Sequence, residues 1–188
     1  MKALYIERST STGRNGDWAE SLDLEGVDRI VVGTGPGSFA GVRSALAFAK
    51  GFAIGSGCEV LGLPSPCAVA AQVFASRQWG QAPKPLLAAV GDARRGKFWI
   101  ALFDGLSLVR DIFLVDHTEL PGAVPKECMV VTTDEKRIGT VLAEVFGERY
   151  LGGLSPTPEG LKAFAESNPA MLTPNPLPIY LSPAVRTD

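Results

Sequence analysis

The chain has 188 residues, of which 46% are hydrophobic, and it carries 18 basic and 20 acidic side chains. This length and hydrophobic content are enough to bury a real core, as one large domain or as two small lobes. The nearly balanced charge argues against a dominant nucleic-acid surface, because neutralising phosphates requires a basic stripe. Any contact with a nucleic acid is therefore expected to be shared with a partner.

The cysteines and the apolar segments predict where the protein works. The three cysteines are widely spaced and form no C-x-x-C pair: Cys58, Cys67 and Cys128. They predict buried thiols in a reducing compartment. No apolar run reaches membrane-spanning length, and the strand-like N-terminus lacks the apolar stretch of a signal peptide. We expect a cytoplasmic protein without membrane contact.

The predicted elements alternate between strands and helices, which indicates an α/β fold. In the first half we expect strands at 2–6, 29–32 and 59–61 and helices at 39–54 and 66–77. A Pro-rich segment at 80–85 predicts a lobe boundary, which gives an N-terminal lobe 1–83 and a C-terminal lobe 84–188. In the second half we expect strands at 86–90, 97–103, 106–115 and 129–132, and helices at 135–146 and 159–167.

Helix-end signals support the two last helices. For the helix at 135–146, we expect Thr133 or Asp134 to be the N-cap residue and Gly147 to end the helix. For the helix at 159–167, Thr157 is expected to be the N-cap residue and Pro158 to occupy the first helical position.

The stretch GTGPGSFAG, from Gly33 to Gly41, lies between a strand-like run and a helix-like run, where phosphate loops are commonly found. Its spacing fits neither the P-loop, which needs a Lys next to a glycine, nor the dinucleotide fingerprint. Gly35 and Gly37 predict a backbone conformation closed to larger residues. Ser38 is expected to cap the helix, because the elbow of serine hydrolases needs a different glycine spacing.

The helix after this loop is apolar on two sides. One stripe is expected to pack on the sheet: Val42, Ala45, Leu46, Ala49 and Ala53. The other side combines apolar and basic residues with small residues every four positions, and we predict its partner contacts at Arg43, Ala47, Phe48, Lys50, Gly51 and Ile54. The pattern alone leaves two alternatives open, a central core helix or an association surface.

Other candidate sites have weaker support. His117 is the only histidine, so no paired-imidazole metal site is expected. Asp92, Arg94 and Arg95 lie at a predicted hairpin and indicate either a vestigial phosphate site or an ordinary turn with a solvated basic pair.

Four segments, in order along the chain, resemble a known family. The loop GPGSFAG is similar to the GPGSFTG signature of the bacterial tRNA threonylcarbamoyladenosine biosynthesis protein TsaB, the YeaZ-like, glycoprotease-like family, with Ala40 in place of threonine. Together with the preceding Gly33, this segment gives the predicted glycine-loop residues, which are Gly33, Gly35, Pro36, Gly37, Ser38, Phe39 and Gly41. The similarity continues through the helix and at 61–65, 92–99 and 178–181.

The resemblance implies a two-lobed α/β protein of the actin-like, Hsp70-like ATPase (ribonuclease H-like) fold. It also implies a non-catalytic partner in tRNA N6-threonylcarbamoyladenosine (t6A) modification, without a cofactor or metal of its own. Its partners would be a TsaD-like transferase, a TsaE-like ATPase and, in a homodimer, a second copy, with tRNA contacted only indirectly.

The sequence departs from the family between Glu7 and Val27, where relatives have a hairpin and a long first helix. The first lobe is therefore expected to be truncated, so that either the remaining helix forms the partner interface or the usual interface is lost. Two alternatives stay open: an enzyme, either a small ATPase or a glycoprotease-like hydrolase, and a divergent relative that self-associates and has no tRNA role.

Overall fold

The structure is a computed structural model that describes residues 2–10, 18–76 and 85–181. These residues form two compact units. Unit 1 contains Met1–Ala68 and Pro156–Ile179, and unit 2 contains Val69–Ser155 and Tyr180–Asp188. The lobe boundary predicted at 83/84 lies within 77–84, outside the described residues.

Unit 1 is built around a mainly parallel sheet. Its described strands are β1 (Lys2–Ile6), β2 (Val27–Gly33), β3 (Glu59–Leu63) and β10 (Thr173–Pro174), in the order β1-β2-β3-β10. The first three are parallel, and β10 is antiparallel to β3. The helices α1 (Phe39–Ser56) and α5 (Pro158–Ser167) pack against this sheet.

The register of these strands decides which residues meet at the edge of the sheet. Ile6 is paired with Val32, and Val32 is paired with Gly62, so β1, β2 and β3 end side by side. The residues that follow them are Glu7, the glycine loop and the start of α2 (Ser65–Ser76). Because the carboxyl ends of parallel strands share one edge, these three segments are brought together.

Unit 2 begins with consecutive strands and continues with alternating helices and strands. Its described strands are β4 (Leu86–Arg94), β5 (Lys97–Asp104), β6 (Ser107–Leu108), β7 (Phe113–Asp116), β8 (Cys128–Thr132) and β9 (Tyr150–Gly153). The order is β6-β5-β4-β8-β9, with β7 also paired to β5. Antiparallel pairing on one side of β4 and parallel pairing on the other give the actin-like arrangement. The helices of the unit are α3 (Leu120–Ala123) and α4 (Glu135–Phe146).

The predicted strand 106–115 is wrong as a single element. The structure has β6 and β7 in its place, which pair with different parts of β5. The exposed residues Arg110 and Asp111 lie between them. The short elements α3, β9 and β10 have too few residues for a sequence period to appear, and the sequence did not predict them.

The helix-end predictions are confirmed for α5, where Thr157 Oγ1 accepts a hydrogen bond from Gly160 N at 3.1 Å. Gly147 ends α4, also as predicted. Asp134 is the N-cap residue of α4, but its side chain forms no capping hydrogen bond. Cys67 and Cys128 are buried as expected, whereas Cys58 is only partly buried.

Candidate functional site

The glycine loop connects the end of β2 to α1 and is fixed by hydrogen bonds to neighbouring segments. Three of its amides donate to acceptors elsewhere in unit 1: Thr34 N to Leu63 O at 2.9 Å, Gly35 N to Ser65 Oγ at 3.0 Å and Ser38 N to Ser9 O at 2.5 Å. A phosphate loop needs free amides that point at the ligand. These three amides are already engaged by the chain itself, which favours a structural role for the loop.

Two glycines of the loop are required for different reasons. Gly35 has a φ of +87°, a left-handed conformation that strains residues with a Cβ, and it precedes Pro36 through a cis peptide bond. At Gly37 the reason is close approach, because a Cβ there would lie 2.2 Å from the carbonyl oxygen of Ser9. Both positions thus exclude a Cβ, Gly35 through its left-handed φ and Gly37 through the close approach of Ser9.

The first turn of α1 continues the loop. Ser38 is the N-cap residue, and its Oγ accepts a hydrogen bond from Gly41 N at 3.3 Å, so the capping role predicted for Ser38 is confirmed. The Phe39 side chain is 51% exposed, and the Arg43 guanidinium lies 4.6 Å from the centre of its ring. The start of α1 thus presents an aromatic ring and a cation to solvent.

Glu7 lies beside the first glycine of the loop, Gly33, and sequence reasoning named it only as the start of the segment that departs from the family. Its Oε1 accepts a hydrogen bond from Ser9 N at 2.6 Å, while Oε2 is buried and has no hydrogen-bond partner. Burial raises the pKa of this carboxyl, and hydrogen bonds, chiefly from Ser9, oppose the shift. The signal that could have identified it is an acid directly after a β-strand that ends beside a glycine.

The two faces of α1 differ in exposure. Val42, Ala45, Leu46 and Ala49 are buried against the sheet, as the apolar stripe predicts. On the other face, Arg43, Ala47, Lys50 and Gly51 are exposed, and Ile54 is 89% exposed. A Cβ added at Gly51 would meet no atom within 4 Å. This side of the helix, which we call the open face, consists of Arg43, Ala47, Lys50, Gly51 and Ile54.

Phe48 differs from the expectation that it belongs to the open face. It is half-buried, and its ring makes an edge contact with Trp18 at a centroid distance of 5.2 Å. The Arg8 guanidinium lies 4.5 Å from the centre of the Trp18 ring. The segment around Trp18, in the region where relatives have their first helix, thus covers one flank of α1. The adjoining residues 11–17 lie outside the described part of the chain.

The predicted phosphate site of unit 2 is a hairpin held by its own ion pairs. Asp92 Oδ2 lies 3.2 Å from Arg137 Nη1 and 3.3 Å from Arg94 Nη1. Arg94 and Arg95 have positive φ values of 69° and 54° at the turn, and both are exposed. The structure therefore brings Asp92 and Arg94 together, and an anion would compete with Asp92 for this arginine.

Asp134 supports this hairpin from the start of α4. Its Oδ2 accepts a hydrogen bond from Asp92 N at 3.0 Å, which explains why the side chain does not cap its own helix. Burial raises the pKa of Asp134, and the nearby charge of Asp92 adds to the increase. Asp134 is a residue that sequence reasoning considered only as a cap.

The described residues contain neither a metal-binding cluster nor a membrane-spanning helix. Over residues 2–10, 18–76 and 85–181, no group of three or more His, Cys, Asp or Glu side chains could hold a metal ion. The His117 ring lies 5.4 Å from the ring of Phe98. Within the same ranges, no helix is both long and apolar enough to cross a membrane.

Two solved structures share this fold. One is described as "Crystal structure of an uncharacterized protein with similarity to peptidase YEAZ from Pseudomonas aeruginosa", with 19% identity over 96% of this chain and 99% of that chain and a TM-score of 0.71. The other is "YeaZ from Pseudomonas aeruginosa", with 20% identity over 95% and 99% and a TM-score of 0.71. The expected actin-like, ribonuclease H-like fold is thereby confirmed.

A comparison with curated proteins gave no significant match. A family model, by contrast, matches residues 19–116, slightly more than half of the chain, and spans the glycine loop, α1 and the β4–β5 hairpin. The chain belongs to the family described as "TsaD: tRNA N6-adenosine threonylcarbamoyltransferase".

Proposed function

We propose that this chain is a non-catalytic partner subunit in tRNA N6-threonylcarbamoyladenosine modification and that it supports a TsaD-like transferase. Membership of the TsaD family connects the chain with this modification, and the YeaZ-like fold supports the scaffold role that the resemblance implies. The observation that carries the proposal is the open face of α1. This helix follows a glycine loop in which three amides donate hydrogen bonds to other segments of the same chain.

The open face has the shape of a helix-packing surface. Gly51 leaves room for another backbone to approach closely, and Ile54 offers an apolar side chain beside it. Large exposed apolar side chains at the centre of a patch are typical of interfaces. The partner proposed for this face is a helix of the TsaD-like subunit.

The charges of α1 favour a different chain over a second copy. Arg43 and Lys50 are the only charged residues of this helix, and both are exposed on the open face. Two copies that cross at Gly51 would bring their Lys50 side chains together, whereas a helix with acidic residues would compensate them. We therefore propose that the open face binds the TsaD-like subunit rather than a second copy of this chain.

Further parts of the proposal rest on composition and on the family resemblance. With a formal net charge of −2, the chain would contact tRNA only through its partner. A TsaE-like ATPase would act on the pair, and the complex would work in the cytoplasm. The lobes would be 1–83 and 84–188, and any residual phosphate site would lie at Asp92, Arg94 and Arg95.

Reconstitution of the modification tests the proposal. TsaD-like and TsaE-like proteins of the same cell, substrate tRNA, ATP and the threonylcarbamoyl donor are combined with or without this chain, and modified adenosine is quantified by mass spectrometry. We expect product only when both the TsaD-like protein and this chain are present. Product formed by this chain without the TsaD-like protein would support the enzyme alternative, and product formed without this chain would contradict the proposal.

A further inference from the structure

The Glu7 carboxyl group occupies a closed position between three segments of unit 1. Its Oε2 and Ser65 Oγ lie 1.8 and 2.8 Å from the place that a Cβ on Gly33 would take. Any side chain at Gly33 would therefore displace the carboxyl. Glycine at this position makes room for an acid that no function described above uses.

The two carboxyl oxygens differ in their surroundings. Oε1 accepts the hydrogen bond from Ser9 N, whereas Oε2 is buried without a hydrogen-bond partner. A buried, ionised oxygen that receives no hydrogen bond is costly, because it loses its hydration without compensation. A protonated Oε2 avoids this cost, and it can act as a donor beside Ser65 Oγ.

Residues 8–10, the glycine loop and the start of α2 adjoin the carboxyl, and in the described residues Arg8 Nε is, like Glu7 Oε2, buried without a hydrogen-bond partner. These three segments contain two titratable side chains, Arg8 and Cys67. The Arg8 guanidinium is placed over the Trp18 ring, and Cys67 is a buried thiol whose pKa is raised by its burial. Neither forms an ion pair with Glu7 in the described part of the chain.

We propose that Glu7 keeps its carboxyl group protonated at neutral pH and that this neutral acid holds the glycine loop and the N-terminus of α1 in place. A continuous chain of hydrogen bonds carries the effect to the helix. Glu7 Oε1 accepts from Ser9 N, Ser9 O accepts from Ser38 N, and Ser38 Oγ accepts from Gly41 N. Glu7 is thus a positioning residue for α1, and only its relevance to partner binding rests on the proposed function.

The direction of the pH effect follows from burial, the largest influence on the Glu7 carboxyl, which raises its pKa in the folded chain; hydrogen bonds from Ser9, Ser65 and the Arg8 amide lower the pKa and offset part of this increase. An acid with a raised pKa holds its proton more tightly in the folded state than in the unfolded state. Its contribution to stability is therefore complete below the ordinary glutamate pKa and is lost as the pH rises through the folded value. Glu7→Gln, which mimics the neutral acid, removes this dependence.

The test compares wild type, Glu7→Gln and the control Glu25→Gln, an exposed acid of the same unit, without any partner. Difference infrared spectra should show a protonated carboxyl band at neutral pH that Glu7→Gln removes and Glu25→Gln retains. Hydrogen exchange at Ser38 and Gly41, corrected for intrinsic rates, should lose protection in wild type as the pH rises from the ordinary glutamate pKa through the raised folded value, and it should stay constant in Glu7→Gln.

If Glu7→Gln does not fold, carboxyl ¹³C NMR titration of wild type reports the protonation state of Glu7 directly. A Glu7 signal that titrates in the ordinary glutamate range, or a protonated-carboxyl band whose intensity is the same in wild type and Glu7→Gln, would overturn the inference. Because every readout uses the isolated chain, a failure here is distinct from a failure to bind the TsaD-like protein.

Discussion

The carbonyl oxygen of Ser9 accepts a hydrogen bond of 2.5 Å from the amide of Ser38, the N-cap residue of α1. The same oxygen lies 2.2 Å from the place that a Cβ on Gly37 would take. The segment after β1 therefore lies backbone to backbone against the glycine loop. This contact explains why the loop tolerates no side chain at position 37, without any reference to a ligand.

Replacing Gly37 by Ala should lower the free energy of unfolding by about 1–3 kcal/mol, because the new methyl group meets backbone atoms that cannot rotate away. The matched control is Gly51→Ala in α1, where the added Cβ meets nothing within 4 Å. Alanine is the better helix former, so this control should gain up to about 1 kcal/mol. Urea unfolding of both variants measures the difference, and equal midpoints would show that the loop is permissive.

The sequence was sufficient to predict the elements whose patterns are long or have clear end signals. The interval of α4, Glu135–Phe146, is the one predicted, and Gly147 marks its end. The position of the glycine loop and the buried stripe of α1 also follow from the residues alone. In each of these cases, local propensity and burial indicate the same structure.

Contacts between distant segments could not be predicted in this way. Phe48 was expected on the open face, because helical spacing does not reveal that Trp18 covers it. The roles of Glu7 and Asp134 depend on which strand ends meet, and this requires the register of the sheets. Patterns within one element carry no information about such pairings.

The contact between Trp18 and Phe48 should contribute measurably to stability. A double-mutant cycle with Trp18→Ala and Phe48→Ala is expected to give a coupling energy of about 0.5–1.5 kcal/mol, the range found for edge-to-face aromatic pairs. The control cycle combines Trp18→Ala with Ile54→Ala, since Ile54 is 89% exposed. The control effects should add, and additivity in the Phe48 cycle as well would contradict the packing described here.

Asp134→Asn should change how stability depends on pH. Because burial raises the pKa of Asp134, the wild type loses stability as the pH rises from the ordinary aspartate value through the folded one. Asparagine keeps an oxygen that can accept from Asp92 N and has no charge to bury. The variant should therefore gain stability relative to wild type as the pH rises from the ordinary aspartate pKa through the raised folded value.

Thermal melts across this range measure the effect, with Asp111→Asn, at an exposed position, as the matched carboxylate-to-amide control. A difference between wild type and Asp134→Asn that shrinks as the pH rises would contradict the assignment.

The isolated chain should not bind Mg-ATP tightly. Amides of the glycine loop are engaged by the chain itself, and Asp92 is paired with Arg94 and Arg137. Calorimetric titration with Mg-ATP should give no stoichiometric event. A micromolar event that Asp92→Ala abolishes would support the ATPase alternative.

The central claim is that the open face of α1 binds a TsaD-like subunit. Ile54→Asp and Gly51→Glu place a charge on this face, where it remains hydrated in the free chain but would be buried without a partner in the complex. Circular dichroism and melting of both variants should stay close to wild type. Phe48→Asp is unsuitable, because Phe48 packs against Trp18.

Titration calorimetry of wild type and of both variants with the purified TsaD-like protein of the same cell is the most direct measurement. We predict a stoichiometric complex for wild type and an affinity at least about 100-fold weaker for each variant. This loss corresponds to roughly 2.8 kcal/mol of binding free energy. A wild-type chain that does not bind, or variants that fold and bind as tightly as wild type, would contradict the central claim.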